Sequence, residues 1–189
     1  MNKITRFQDI KLFTANGSWE CDYRPHEMLN FLDELKKTDK LQMDPDFQRA
    51  HVWTVEQQQK YLEFFFRGGK SARVIYINHP GWQDNYKGEC VLLDGKQRVE
   101  AFRRFYNNEI TIFGSYLKDF TDKPDNVMHT LRINVNNLKT RAEVLQWYID
   151  FNSGGTVHTT EEIDKVRNLL EKEEDHEDLR RNNALDLNG

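Results

Sequence analysis

The run Leu92-Leu93-Asp94-Gly95-Lys96-Gln97-Arg98 gathers a carboxylate, two cations and an amide just where an apolar stretch gives way to a polar one. Glu89-Cys90-Val91-Leu92-Leu93 reads as a short buried strand, and Val99, Phe102, Phe105 and Tyr106 recur at helical spacing. The turn between them sets Asp94, Gln97 and Arg98 at the end of a strand and the start of a helix. Free backbone N–H groups and the positive end of the helix dipole favour an anion there. A carboxylate, an amide and a guanidinium at such a place could hold a metal-bound phosphate. They could equally brace the turn, with Asp94 capping the helix and Arg98 paired nearby.

Two other segments offer related chemistry. Gln48-Arg49 precedes Trp53, and a planar guanidinium fork grips phosphate oxygens at two points, which lysine cannot copy. The plainer alternative is Arg49 stacked on the indole at the edge of the core, with Trp53 a packing residue. Asn152-Ser153-Gly154-Gly155 breaks a helical pattern. Glycine adopts the left-handed conformation freely, so a helix C-cap accounts for one of the pair, and close approach of backbone to a ligand would account for two.

The elements that must position these residues follow from periodicity and punctuation. Pro25 opens an amphipathic helix over 26–37, and Thr54 with Gln57 forms a capping box for a helix that stops at Gly68-Gly69. Within that helix Tyr61, Leu62, Phe64, Phe65 and Phe66 read as buried packing. Val74–Ile77, Ile110–Phe113 and Leu131–Val135 read as strands. Thr140 with Glu143 suits a helix reaching about Phe151, and Thr159 with Glu162 a last one through Leu170. From Glu171 the charges and asparagines show no sustained period. The expectation is one domain over 1–170 and a charged, flexible tail over 171–189. Strands interleaved with helices predict an α/β (α+β) class.

Composition narrows the function classes. The chain has 189 residues and a formal net charge of -4, which argues against nucleic-acid binding by bulk charge alone. Cys21 and Cys90 lack metal-ligand spacing and suggest neither zinc nor a disulfide framework. His51, His79, His129 and His158 are scattered without a metal partner at helical spacing. Arg103 and Arg104 would extend a positive surface near Asp94 or simply be solvated. The amino-terminal residues contain no signal-type apolar region and no run has membrane length, so the chain reads as cytoplasmic with no membrane partner. P-loop, G-x-G-x-x-G and H-E-x-x-H patterns are absent.

Three segments stand in a fixed order: Asp46-Phe47-Gln48-Arg49 with Val52-Trp53, Leu93-Asp94-Gly95-Lys96-Gln97-Arg98, and Phe151-Asn152-Ser153-Gly154-Gly155-Thr156. Together they resemble the ParB/sulfiredoxin-like DGQQR-motif domain, whose pattern reads roughly Y/F-Q-R-x-x-V-W, I/L-D-G-Q-Q-R and F-x-x-x-N-x-G-G-T. That domain forms the N-terminal part of GmrSD-type (type IV) restriction enzymes and of the phosphorothioation-linked defence protein SspE. The resemblance spans Asp44 to Val166. It implies a small mixed sheet flanked by helices that binds a nucleoside triphosphate with Mg2+, hydrolyses it, and couples this to DNA sensing in bacterial or phage restriction or anti-restriction. By position it implies that Gln48, Arg49, Gly95, Lys96, Gln97 and Arg98 face phosphates and that Asp94 holds the metal or the attacking water. Asn152, Gly154 and Gly155 would close the pocket. Asp94 and Arg98 would be the catalytic pair. Lys96 departs from the pattern, standing where the first glutamine is usual. No H-N-H nuclease pattern follows Val166, so DNA cleavage is not expected of this chain. The alternative is a non-catalytic adaptor or inhibitor that binds DNA or a defence-system protein, with a homodimer also open.

Overall fold

The computed structural model describes residues 3–10, 18–48, 53–82, 88–153 and 160–186. Its strands β1 (Ser18–Tyr23), β2 (Val74–Asn78), β3 (Val91–Asp94) and β4 (Leu131–Asn136) form one sheet in the spatial order β1-β4-β2-β3. β1 runs antiparallel to β4, β4 parallel to β2, and β2 antiparallel to β3. The helices are α1 (Pro25–Thr38), α2 (Val55–Phe66), α3 (Lys96–Tyr106), α4 (Arg141–Ser153) and α5 (Thr160–Asp186). The class is therefore mixed α+β, as the alternation of patterns predicts.

Side chains alternate across a strand, so each face of the sheet carries its own core. On one face Ile75, Ile77, Leu92, Leu131 and Ile133 pack with Met28 and Leu32 of α1, Leu62 and Phe65 of α2, and Phe102 and Phe105 of α3. On the other, Val91 and Leu93 pack with Val144, Leu145 and Tyr148 of α4 and with Ile163, Val166 and Leu170 of α5. β3 is thus covered on both sides, which explains its unbroken apolar run.

The helix starts follow their local chemistry. Gln57 N–H donates to Thr54 Oγ1 at 3.2 Å and Thr54 N–H to Gln57 Oε1 at 2.8 Å. The same reciprocal pair joins Thr140 and Glu143, at 3.2 and 3.1 Å. The box expected of Thr159 and Glu162 lies outside the described residues. α2 stops at Gly68, whose φ of +87° is left-handed.

Three expectations are corrected. Ile110–Phe113 is not a strand: Ile112 and Ser115 exchange backbone hydrogen bonds of 3.0 and 2.9 Å around a two-residue turn. Phe113 and Gly114 take φ of +49° and +79° there, the geometry of a tight hairpin turn that ends extended structure. Phe64 is not buried but 45% exposed. It lies on the outer side of α2, and its ring covers Gly69, where an added Cβ would stand 2.3 Å from it. The last helix does not end at Leu170 but continues to Asp186, across most of the stretch read as a tail. Its apolar stripe stops at Leu170, and beyond that point good helix formers such as Glu, Lys, Leu and Arg continue it, with no buried side chain among those described.

Arg141, at the start of α4, joins three parts of the chain. It donates to Asp46 at 2.6 Å and to Glu89 at 2.7 Å, and its Nε lies 3.5 Å from Glu173 of α5. Burial pushes the Glu89 carboxyl above the ordinary range, against the pull of Arg141.

Candidate functional site

The strand-to-helix turn after β3 needs glycine for two reasons. Gly95 is the N-cap of α3 with φ of +104°, and a Cβ there would meet Ile75 Cγ1 at 2.9 Å and Ile75 Cα at 3.2 Å. No side chain caps α3 among the described residues, so its first N–H groups face the space beside the turn. Asp94 does not cap the helix. Its Oδ2 accepts from Arg98 Nη2 at 2.6 Å, one helical turn on, because the left-handed residue between them swings the carboxylate beside the helix rather than over its end. Arg98 Nη1 also donates to the Val74 carbonyl and so ties α3 to β2.

The other polar groups are held as firmly. Gln48 Nε2 donates to the Leu92 carbonyl at 2.5 Å, which pins the segment before Arg49 against β3. Gln97 Oε1 accepts from the Trp53 backbone N–H at 3.3 Å. Lys96 Nζ pairs with Asp44. Asn152 Nδ2 donates to the Tyr148 carbonyl one turn back on α4 at 2.7 Å.

These residues surround one cavity of about 160 Å³. Gln48 enters from the segment before α2, Asp94, Gly95, Lys96, Gln97 and Arg98 from the turn, and Asn152 from the end of α4. Trp53, Leu93 and Tyr148 also line it. Arg49, Gly154 and Gly155 lie outside the described residues. Trp53, read as packing, does pack on Tyr61 with ring centroids 5.2 Å apart, and it lines the cavity as well. Tyr148 was missed by sequence reasoning; its position one helical turn before Asn152 is the signal that could have found it. Arg103 and Arg104 do not join the site. Arg103 makes a two-point contact with Asp33 at 2.7 and 3.0 Å, which holds the Asp33 carboxyl below the usual carboxylate range, and Arg104 bonds Gln58 at 2.7 Å and Glu109 at 3.3 Å.

Among the described residues the cavity offers an anion two cations, Lys96 and Arg98, each already shared with a carboxylate, and the uncapped start of a helix. A divalent cation finds less. Asp94 is one carboxylate, half engaged by Arg98, and no group of three His, Cys, Asp or Glu side chains suits a metal among the described residues. Mg2+ commonly binds through one or two carboxylates plus waters and substrate phosphates. The residues present therefore fit an ion that arrives with phosphates better than a resident metal.

A second cavity, of about 190 Å³, opens at the other end of α3 and is apolar. Phe66, Phe105, Ile112, Phe113, Leu117 and Phe120 supply much of its lining. No helix among the described residues is long and apolar enough to cross a membrane. Comparison with known proteins adds no relative: no protein-family model, curated protein or solved structure matches this chain.

Proposed function

We propose that this chain is a nucleoside triphosphate-binding domain of the ParB/sulfiredoxin-like kind, acting with Mg2+ in bacterial or phage DNA metabolism or restriction. One observation carries the reading: three segments far apart in sequence contribute polar residues to one cavity at the uncapped start of α3. The motif resemblance supports it independently of the geometry. In this reading Lys96 and Arg98 neutralise phosphate charge, the first N–H groups of α3 donate to phosphate oxygens, and Gln48, Gln97 and Asn152 orient them. Asp94 holds the phosphate-borne ion or orients a water. Positioning and electrostatics dominate phosphoryl transfer, so this set suffices for slow hydrolysis.

Titration calorimetry with ATP, GTP and CTP in the presence of Mg2+ tests the proposal. Heat of binding with at least one is expected, and none with any of them on folded protein overturns it. A second reading draws on a specific observation: Arg98 is already committed to Asp94 and to the Val74 carbonyl, as a structural brace would be. In that case the fold serves as a non-catalytic adaptor or inhibitor for DNA or a defence protein. Phosphate release separates the two, because turnover abolished by Asp94→Ala belongs only to the enzyme.

A further inference from the structure

The polar cavity is too small for a whole nucleotide. At about 160 Å³ it falls below the roughly 300–1,000 Å³ usual for sites that enclose a drug-sized ligand. Phosphates would fill it, and the nucleoside must then lie along its rim. One part of that rim is aromatic. Tyr148 and Asn152 line the cavity on successive turns of α4, and Trp147 and Phe151 precede each of them by one position, so they occupy the adjoining strip of the helix. Tyr76 of β2 is the backbone partner of Asp94 of β3, at a point where the antiparallel register shifts, so its strand position adjoins the turn that carries the cavity.

The three rings already pack together, and two of them are stacked. Trp147 and Phe151 lie nearly parallel, 13° apart with centroids separated by 4.6 Å. Tyr76 leans on both, at 5.5 Å from Trp147 and 4.9 Å from Phe151. Trp147 is 7% exposed, whereas Phe151 at the outer end is 36% exposed. A ring serving only as core would be covered like its neighbour. Phe151 instead keeps part of its ring at the surface beside a partner already stacked on it.

We infer that Tyr76, Trp147 and Phe151 form a stacking platform for the base of the ligand whose phosphates occupy the cavity, with Phe151 as the contact surface. This rests on the nucleotide reading above. Every base has a π-face, so the platform supplies affinity for a base in general and favours larger purines over pyrimidines. Stacking on an aromatic side chain changes affinity by roughly 5- to 100-fold.

The test compares Mg2+-ATP with Mg2+-tripolyphosphate, which has the phosphates and no base, by calorimetry on the full chain. Unsubstituted protein should bind ATP at least about 5-fold more tightly. Phe151→Ala should erase that preference by weakening ATP alone, and Phe151→Trp should keep it. If Phe151→Ala does not fold, Phe151→Leu, which retains apolar bulk without a π-face, reads the same difference. Equal binding of the two ligands by the unsubstituted protein overturns the platform and leaves the phosphate cavity standing, as does an equal loss for both in the Phe151 variant. Binding of neither overturns the cavity reading and the platform with it.

Discussion

The two ends of α3 carry opposite kinds of cavity. At its start, residues separated by long stretches of chain converge, and three of the polar side chains are fastened to another element: Gln48 to Leu92, Gln97 to Trp53, Arg98 to Val74. At its end, most of the lining comes from one continuous segment, Ile112 to Val127, together with Phe66 and Phe105. Two non-glycine residues at its ends, Phe113 within it and Met128 just beyond it, stand in the left-handed region, with φ of +49° and +54°. The polar cavity is a product of topology, set by strand register and by the one glycine that lets β3 turn into α3. The apolar one is a product of local chain geometry, and it tolerates exposed rings and backbone strain. Rigid positioning belongs to the first and slack to the second.

Substitutions at the two ends should separate these properties. The largest effect is expected from Phe105→Ala, since the ring is buried against the core and also walls the apolar cavity. Loss of a buried Phe costs about 3–5 kcal/mol, and the existing space beside it places the expectation near the lower figure. Urea denaturation measures it; a loss under about 1 kcal/mol would mean that this end of α3 contributes little packing. Gly95→Ala should cost about 1–3 kcal/mol, because the new Cβ is strained at positive φ and presses on the buried Ile75. The same variant should weaken nucleotide binding more than Phe105→Ala does, since it moves the turn itself. If both bind alike, the turn is not the precise element the comparison makes it. The smallest effect is expected from Phe113→Asn. Asparagine enters the left-handed region more readily, so stability should rise by up to about 1 kcal/mol by the same denaturation. A fall instead would show that the half-exposed ring packs more strongly than its backbone is strained.

Sequence reasoning reached the two ends of α3 unequally, for a physical reason. Asp94, Gln97, Arg98, Gln48 and Asn152 stood out because polar residues beside apolar runs are unusual and because their order repeats a known pattern. The alternation of strands and helices was readable from periodicity, and the Thr54 and Thr140 boxes from short-range chemistry. The stretch from Ile110 onward misled: Ile110-Thr111-Ile112-Phe113 alternates like a strand, yet Gly114 turns it back after two residues. Beyond Leu170 no periodic stripe marked α5, because its outer turns rest on helix propensity instead of burial. An ion pair of Arg98 near the turn was expected, but its partner, Asp94, was read as a helix cap, and the left-handed Gly95 between them is what makes the two pair. The contact of Arg98 with the Val74 carbonyl was not legible, since it depends on which strand lies beside β3.

Arg141 closes the chain on itself. One guanidinium joins the far helix, through Glu173, to Asp46, which stands two residues from the cavity wall at Gln48. Because an arginine keeps its charge across the ordinary pH range, any change of these contacts with pH comes from the carboxylates and not from the cation they share.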